Sequence, residues 1–362
     1  MKNPPMIKTM NGWRGIFALV IVLFHVGLSG LEEMTWAGVT FFLMASGFLL
    51  RLKYPFNDLD SKLYGRFVWR HALKLYPLHW LALALLLLAM ALVGTLVINP
   101  GVLALDVALL QSWSMHLKVY FSYNSFAWFL STLMFCYLCY PLLARWFSPM
   151  GLRFKGIVLA IVTIIDMVAL ALTDDYGKTA LYVFPLVRLI DFMIGMTLAD
   201  SLECIKALPV LGKSKNGTDL ELIAIALLSV TVMTYRTYPI IAPWSDAIIW
   251  WLPVITILLT CCLYDRREGF IGKILSSRPL QWLGSISFEL FILQAIGPII
   301  YNYLVEPVFW HFGIIELANM VSNDLCGHDI YLLYVFILPI DLVLAWAVNR
   351  LFSHPLRRLL AR

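Results

Sequence analysis

Residues Asn11–Gly30 read NGWRGIFALVIVLFHVGLSG, and this stretch decides the fold class. Its apolar run is long enough to enter a hydrocarbon layer about 30 Å thick, yet it carries Arg14 and His25, two groups that lipid tolerates poorly. They stand eleven positions apart. At about 100° and ~1.5 Å per residue, an α-helix returns them to nearly one azimuth, about 16 Å apart along the axis. A charged side chain in mid-membrane costs on the order of 2.5 kcal/mol or more, so a guanidinium and an imidazole on one stripe point to a polar wall facing the inside of a helical bundle. A second reading stays open at this point: the arginine snorkels to headgroups and the histidine is satisfied by a carbonyl of a neighbouring helix.

Composition extends the membrane reading to the whole chain. Of 362 residues, 61% are hydrophobic and 14% charged, against roughly 45–50% and 25% in soluble domains. The expected class is all-α, a polytopic transmembrane helical bundle. Ten stretches suffice to span, at about 13–31, 36–52, 75–97, 126–146, 156–173, 180–200, 220–238, 246–264, 284–304 and 330–350. With ten spans the two termini share a side, and that side holds Lys8, the six basic residues from Arg51 to Lys74, Lys155, Arg278 and Arg357 among others; the opposite side holds Lys118, Lys178 and Arg236. Cytoplasmic loops retain Lys and Arg, so both termini are expected in the cytoplasm. The net charge of +5 expresses this asymmetry and gives no reason to invoke nucleic acid. No small-residue cleavage site clearly follows the first span, which therefore reads as a signal anchor. Of six cysteines, Cys326 alone falls in an outer loop, so no disulfide framework is expected. The ten spans are distributed over residues 13–350, and residues 1–362 are expected to form a single membrane domain without a fused soluble one.

Further stretches place polar groups among apolar ones. GVTFFLMASGFLL (Gly38–Leu50) offers small residues for close helix packing; Ser46 as a nucleophile would need a base and an orienting group that nothing local supplies. RHALKLYPLHW (Arg70–Trp80) sets Arg70 and Lys74 one helical turn apart. WFLSTLMFCYLCYPLL (Trp128–Leu143) carries Trp128 and Ser131, with Cys136 and Cys139 as small packing residues, since no His or Cys cluster suggests a metal. FPLVRLIDFMIGMTLA (Phe184–Ala199) places Arg188 and Asp191 on one face, where they neutralise each other most simply. LQWLGSISFELFILQAIGP (Leu280–Pro298) carries Glu289 and Gln294.

In this order, the stretches resemble the acyltransferase-3 family of membrane O-acyltransferases over most of residues 11–300. The resemblance implies about ten spans in a bacterial inner (cell) membrane and no bound cofactor. It also implies acyl-CoA, acetyl-CoA foremost, as the donor, and a hydroxyl of a cell-envelope or exported carbohydrate as the acceptor. On that footing His25 is the general base or the carrier of the acyl group, and Arg14 holds donor phosphate or stabilises an oxyanion. Arg70 and Lys74 would clamp phosphate, while Trp128, Ser131, Arg188, Asp191 and Glu289 would serve donor or acceptor binding. The chain departs from the family pattern at Lys74, where Arg is usual; at Leu133 and Met134, which occupy acidic positions; at Asp191, where Glu is commoner; and at Gln294, which replaces a His. Those departures motivate a competing reading as an inactive member that acts as an assembly partner. A glycolipid or polysaccharide transporter is another, and would call for paired inverted repeats with broken helices, which the sequence does not display.

Overall fold

The computed structural model describes residues 7–28, 30–54, 56, 61–208, 217–238, 248–263, 269–305, 307 and 330–360. Cys326, Pro239, Pro243 and most of the polar run Gly212–Asp219 lie outside them. Among the described residues there is no strand. The helices are α1 (Lys8–His25), α2 (Glu32–Lys53), α3 (Ser61–Leu92), α4 (Pro100–Val107), α5 (Leu117–Tyr120), α6 (Trp128–Trp146), α7 (Leu152–Leu172), α8 (Asp175–Val183) and α9 (Pro185–Lys206). They continue as α10 (Thr218–Thr237), α11 (Ile248–Leu263), α12 (Phe270–Leu275), α13 (Arg278–Leu293), α14 (Ile296–Ile300), α15 (Ile330–Val348) and α16 (His354–Leu360). The long ones rest on apolar length rather than on caps, because a helix in lipid satisfies its backbone internally. Side-chain caps occur at the short α4, where Asn99 accepts from the Gly101 and Val102 amides, and at α8, where Asp174 accepts from Gly177.

Six of the described helices are long and apolar enough to cross a membrane, or eight if each of two bent pairs counts as one span. The 18-residue α1 carries Lys8, Asn11, Arg14 and His25, and α11 has 16 residues. The ten expected stretches each meet one helix or one bent pair, with two shifts that matter for function. First, α1 ends at His25, because Gly27 and Gly30 take left-handed backbone angles (φ 113° and 82°) that glycine alone adopts freely. Second, the basic segment expected as a loop before the third span is helical from Ser61. At 32 residues α3 is about 48 Å long, well beyond the hydrocarbon thickness, so Arg70 and Lys74 ride on a helix that projects from it.

The core is built around two backbone-to-backbone crossings. α1 lies along α13, and α2 along α9. A Cβ on Gly284 would land on the Asn11 carbonyl oxygen, one on Gly47 on that of Phe192, and one on Gly195 on that of Met44. Only glycine lets these helices touch so closely. α2 and α6 are mostly buried, whereas α7 presents Ile157, Ile161, Ile164 and Val168 outward as a lipid-facing surface. The short α4 is held against α3 by three side chains. Tyr76 Oη donates to the Ala108 carbonyl (2.8 Å), His79 Nε2 to that of Asp106 (2.8 Å) and Trp80 Nε1 to that of Val107 (3.0 Å). This satisfies the carbonyls left open at the helix C-terminus.

Both bent pairs are breaks that the sequence reading did not find. α8 and α9 meet at 49°, because Pro185 holds Phe184 in an extended conformation (φ −69°, ψ 125°) as pre-proline residues prefer. α13 and the segment from Ile296 to Val305 meet at 65°. There Pro298 lacks the amide that would bond the Gln294 carbonyl. Side chains take over at this break: Asn124 Nδ2 donates to the Ile292 carbonyl (2.9 Å) and Gln294 Nε2 to that of Phe291 (2.8 Å).

Candidate functional site

The two polar groups of α1 face the same side of the bundle at its two ends. Arg14 has Tyr137 of α6, Glu289 of α13 and Arg357 of α16 as its electrostatic neighbours. The His25 ring packs edge-on against Phe126, centroids 4.7 Å apart, and Phe126 in turn meets Phe291 of α13. Because α1 is unbroken between them, the rise of about 16 Å along the axis holds.

His25 Nδ1 lies 2.7 Å from the Ile21 carbonyl oxygen. A carbonyl only accepts, so Nδ1 carries the proton and the neutral ring keeps its lone pair on Nε2. The carbonyl belongs to the histidine's own helix, not to a neighbouring one, and the contact fixes the ring's tautomer. No described residue bonds Nε2, and the side chain is exposed beside Phe126.

Arg14 makes no hydrogen bond or ion pair with any described residue, although it is half-buried among helices. The nearby carboxylate is already engaged: Arg357 Nη2 donates to Glu289 Oε1 at 2.6 Å, with Glu289 wholly buried. Tyr137 links Arg14 to α3, since it is an electrostatic neighbour of Arg14 and its ring lies 4.8 Å from that of His71. Ser46 donates to the Phe42 carbonyl at 2.7 Å, which fits packing and hydrogen bonding rather than nucleophilic attack.

One turn on, Lys74 has Lys53, Arg70 and Arg357 as electrostatic neighbours. No described carboxylate forms a salt bridge with Lys53, Arg70 or Lys74. Arg14 and Arg357 thus flank Glu289, and through Arg357 the positive charge continues to Lys74, Lys53 and Arg70. Such a cluster repels itself and is stabilised by a polyanion.

The remaining expected residues form a separate group. Arg188 and Asp191 are wholly buried and pair at 3.2 Å. Asp191 also accepts from Trp251 Nε1 at 2.6 Å, while Arg188 donates to the Tyr182 carbonyl at 2.6 Å and stacks 4.0 Å over that residue's ring. Trp128 also packs on Tyr182, 5.3 Å between centroids. This network locks α6, α8, α9 and α11 together, and its charges are neutralised internally, as the simpler reading of the pair had it. Ser131 is buried on α6 with an unbonded hydroxyl. Sequence reasoning missed Lys53, Tyr137 and Arg357 as site residues. The signal for the two cations was present only as loop charge, indistinguishable there from a topology signal, and Tyr137 read as one aromatic among many.

Among the described residues no group of His, Cys, Asp or Glu is arranged to hold a metal ion, and Cys136, Cys139, Cys204, Cys261 and Cys262 form no disulfide with one another. The acyltransferase domain family matches residues 7–350, nearly the whole chain. No curated protein and no solved structure matches it.

Proposed function

The chain belongs to the acyltransferase-3 family of membrane acyltransferases, and from that premise we propose that it moves an acyl group, acetyl foremost, from acyl-CoA to a hydroxyl of a cell-envelope or exported carbohydrate. The observation that carries this reading is Arg14: a guanidinium within the bundle that pairs with no described residue, beside Arg357 at the edge of a cation cluster, on the same helix as an imidazole whose Nε2 no described residue bonds.

The cluster suits the pyrophosphate and ribose phosphate of coenzyme A, and the cytoplasm supplies that donor. Arg70 and Lys74 hold phosphate from α3, and Arg14 receives it deeper in the bundle. His25, at the other end of α1, meets the acceptor. Its Nε2 takes the hydroxyl proton as the oxygen attacks the thioester carbonyl; the carbon–sulfur bond breaks, and the proton passes to the departing thiolate. The products are an ester and free coenzyme A. Oxyanion donors work at 2.7–3.1 Å, so about 16 Å of helix between Arg14 and His25 favours donor phosphate over a carbonyl activated at His25 as the ligand of Arg14.

The test is acyl transfer from labelled acetyl-CoA to isolated envelope carbohydrate by purified protein. Arg70→Ala and Lys74→Ala should each raise the apparent KM for the donor more than they lower kcat, the pattern of lost ground-state binding. If both variants bind a coenzyme A analogue as well as the wild type does, the basic segment serves topology alone.

A further inference from the structure

The family match ends at residue 350, and α16 lies beyond it. This helix packs on α3 and sends Arg357 back into the cation cluster. The geometry of the pair it forms with Glu289 is uneven: the carboxylate is wholly buried, whereas the guanidinium is 52% exposed. Their bond uses one of five N–H donors. No described residue takes the other four.

Neutralising Glu289 does not by itself account for Arg357, because Arg14 already stands beside that carboxylate. A second guanidinium next to Arg14 and Lys74 is surplus to pairing and adds like charge, which is unfavourable without an anion to share. We propose that Arg357 is a donor-binding residue: with Lys74 it holds a phosphate of acyl-CoA between α16 and α3, so that the C-terminal helix forms one wall of the donor site. This rests on the acyl-CoA reading above. Glu289 is then a positioning residue, since its buried carboxylate fixes the guanidinium plane through the 2.6 Å bond and leaves the remaining donors to the ligand.

A phosphate ester at this position has two sources, coenzyme A and an anionic lipid headgroup, and the experiment separates them. Coenzyme A is titrated by calorimetry into full-length protein in lipid-free detergent, and phosphatidylglycerol binding is measured in parallel. Arg357→Ala should weaken coenzyme A about tenfold or more, the effect of losing a charge-assisted hydrogen bond. Because that variant strands a buried carboxylate, the double variant R357A/E289Q is the control for folding, and its coenzyme A affinity should stay low. Recovery of wild-type affinity in the double variant would reduce Arg357 to a counter-ion of Glu289 and overturn the proposal. So would a loss confined to phosphatidylglycerol with coenzyme A binding unchanged. A wild type that fails to bind coenzyme A defeats the donor reading itself, a result distinct from a wild type and an Arg357→Ala variant that bind it equally.

Discussion

At the scale of single residues, lipid makes some roles legible in sequence and hides others. Arg14 and His25 stand out because any polar group in a span is expensive, and the structure gives one no partner among the described residues and the other a defined tautomer. Arg357 does not stand out, because an arginine near a cytoplasmic end is what topology alone requires; its bond to Glu289 spans 68 residues, a partnership that no local spacing announces. The tautomer of His25 yields the sharpest prediction. General-base catalysis is worth roughly a hundred- to ten-thousand-fold, so His25→Ala should lower acyl transfer by about that factor at near-normal expression. In His25→Gln the amide can still hydrogen-bond but cannot take a proton at neutral pH, and the loss should be as large. Full transfer by His25→Gln would eliminate the base role. Labelled acyl groups retained on the protein when donor is supplied without acceptor would instead mark His25 as a covalent carrier.

At the scale of elements, apolar length located the long helices among the described residues, but the ends and breaks escaped it. They depend on partners distant in sequence, such as Asn124 on the Ile292 carbonyl, and on prolines whose effect is settled by what replaces the lost hydrogen bond. The small residues of the second span were legible as packing residues, and the structure adds their counterparts: Gly47 lies against Phe192, and Gly195 against Met44. Overpacking a tight interface costs about 1–3 kcal/mol, and here the added methyl would meet backbone rather than a movable side chain. Gly195→Ala should therefore lower the thermal unfolding midpoint of the protein in detergent. Gly156→Ala is the matched control, because its Cβ meets nothing within 4 Å and alanine favours a helix by up to about 1 kcal/mol. Should both variants melt with the wild type, the α2–α9 contact does not depend on glycine.

At the scale of the molecule, charge is sorted along the bundle. Near one end of α2, Arg51 and Lys155 share Asp200, each at 2.5 Å, and Lys53 adjoins the cluster of Arg70, Lys74 and Arg357. At the other end of the same helix, Glu33 accepts from Arg236 at 2.7 and 2.8 Å, which neutralises one of the few cations on that side. The unpaired positive charge thus collects at the end bearing α16. An intracellular polyanionic donor and the retention of Lys and Arg in the cytoplasm call for the same orientation, so donor binding and topology stand or fall together. The α16 end is expected to face the cytoplasm, with His25 directed to the opposite face. A phosphatase that works only outside the cytoplasm, fused after Arg362, should be silent, and a green fluorescent protein at the same junction should fluoresce. The reverse pattern would put the cation cluster on the side without acyl-CoA and remove the donor site at one stroke. Silence of both reporters would be resolved by a cysteine placed at Ala207, an exposed position just after α9, in a chain whose six native cysteines are replaced by serine or alanine; an impermeant thiol reagent should leave it unlabelled in intact cells and label it once the membrane is opened.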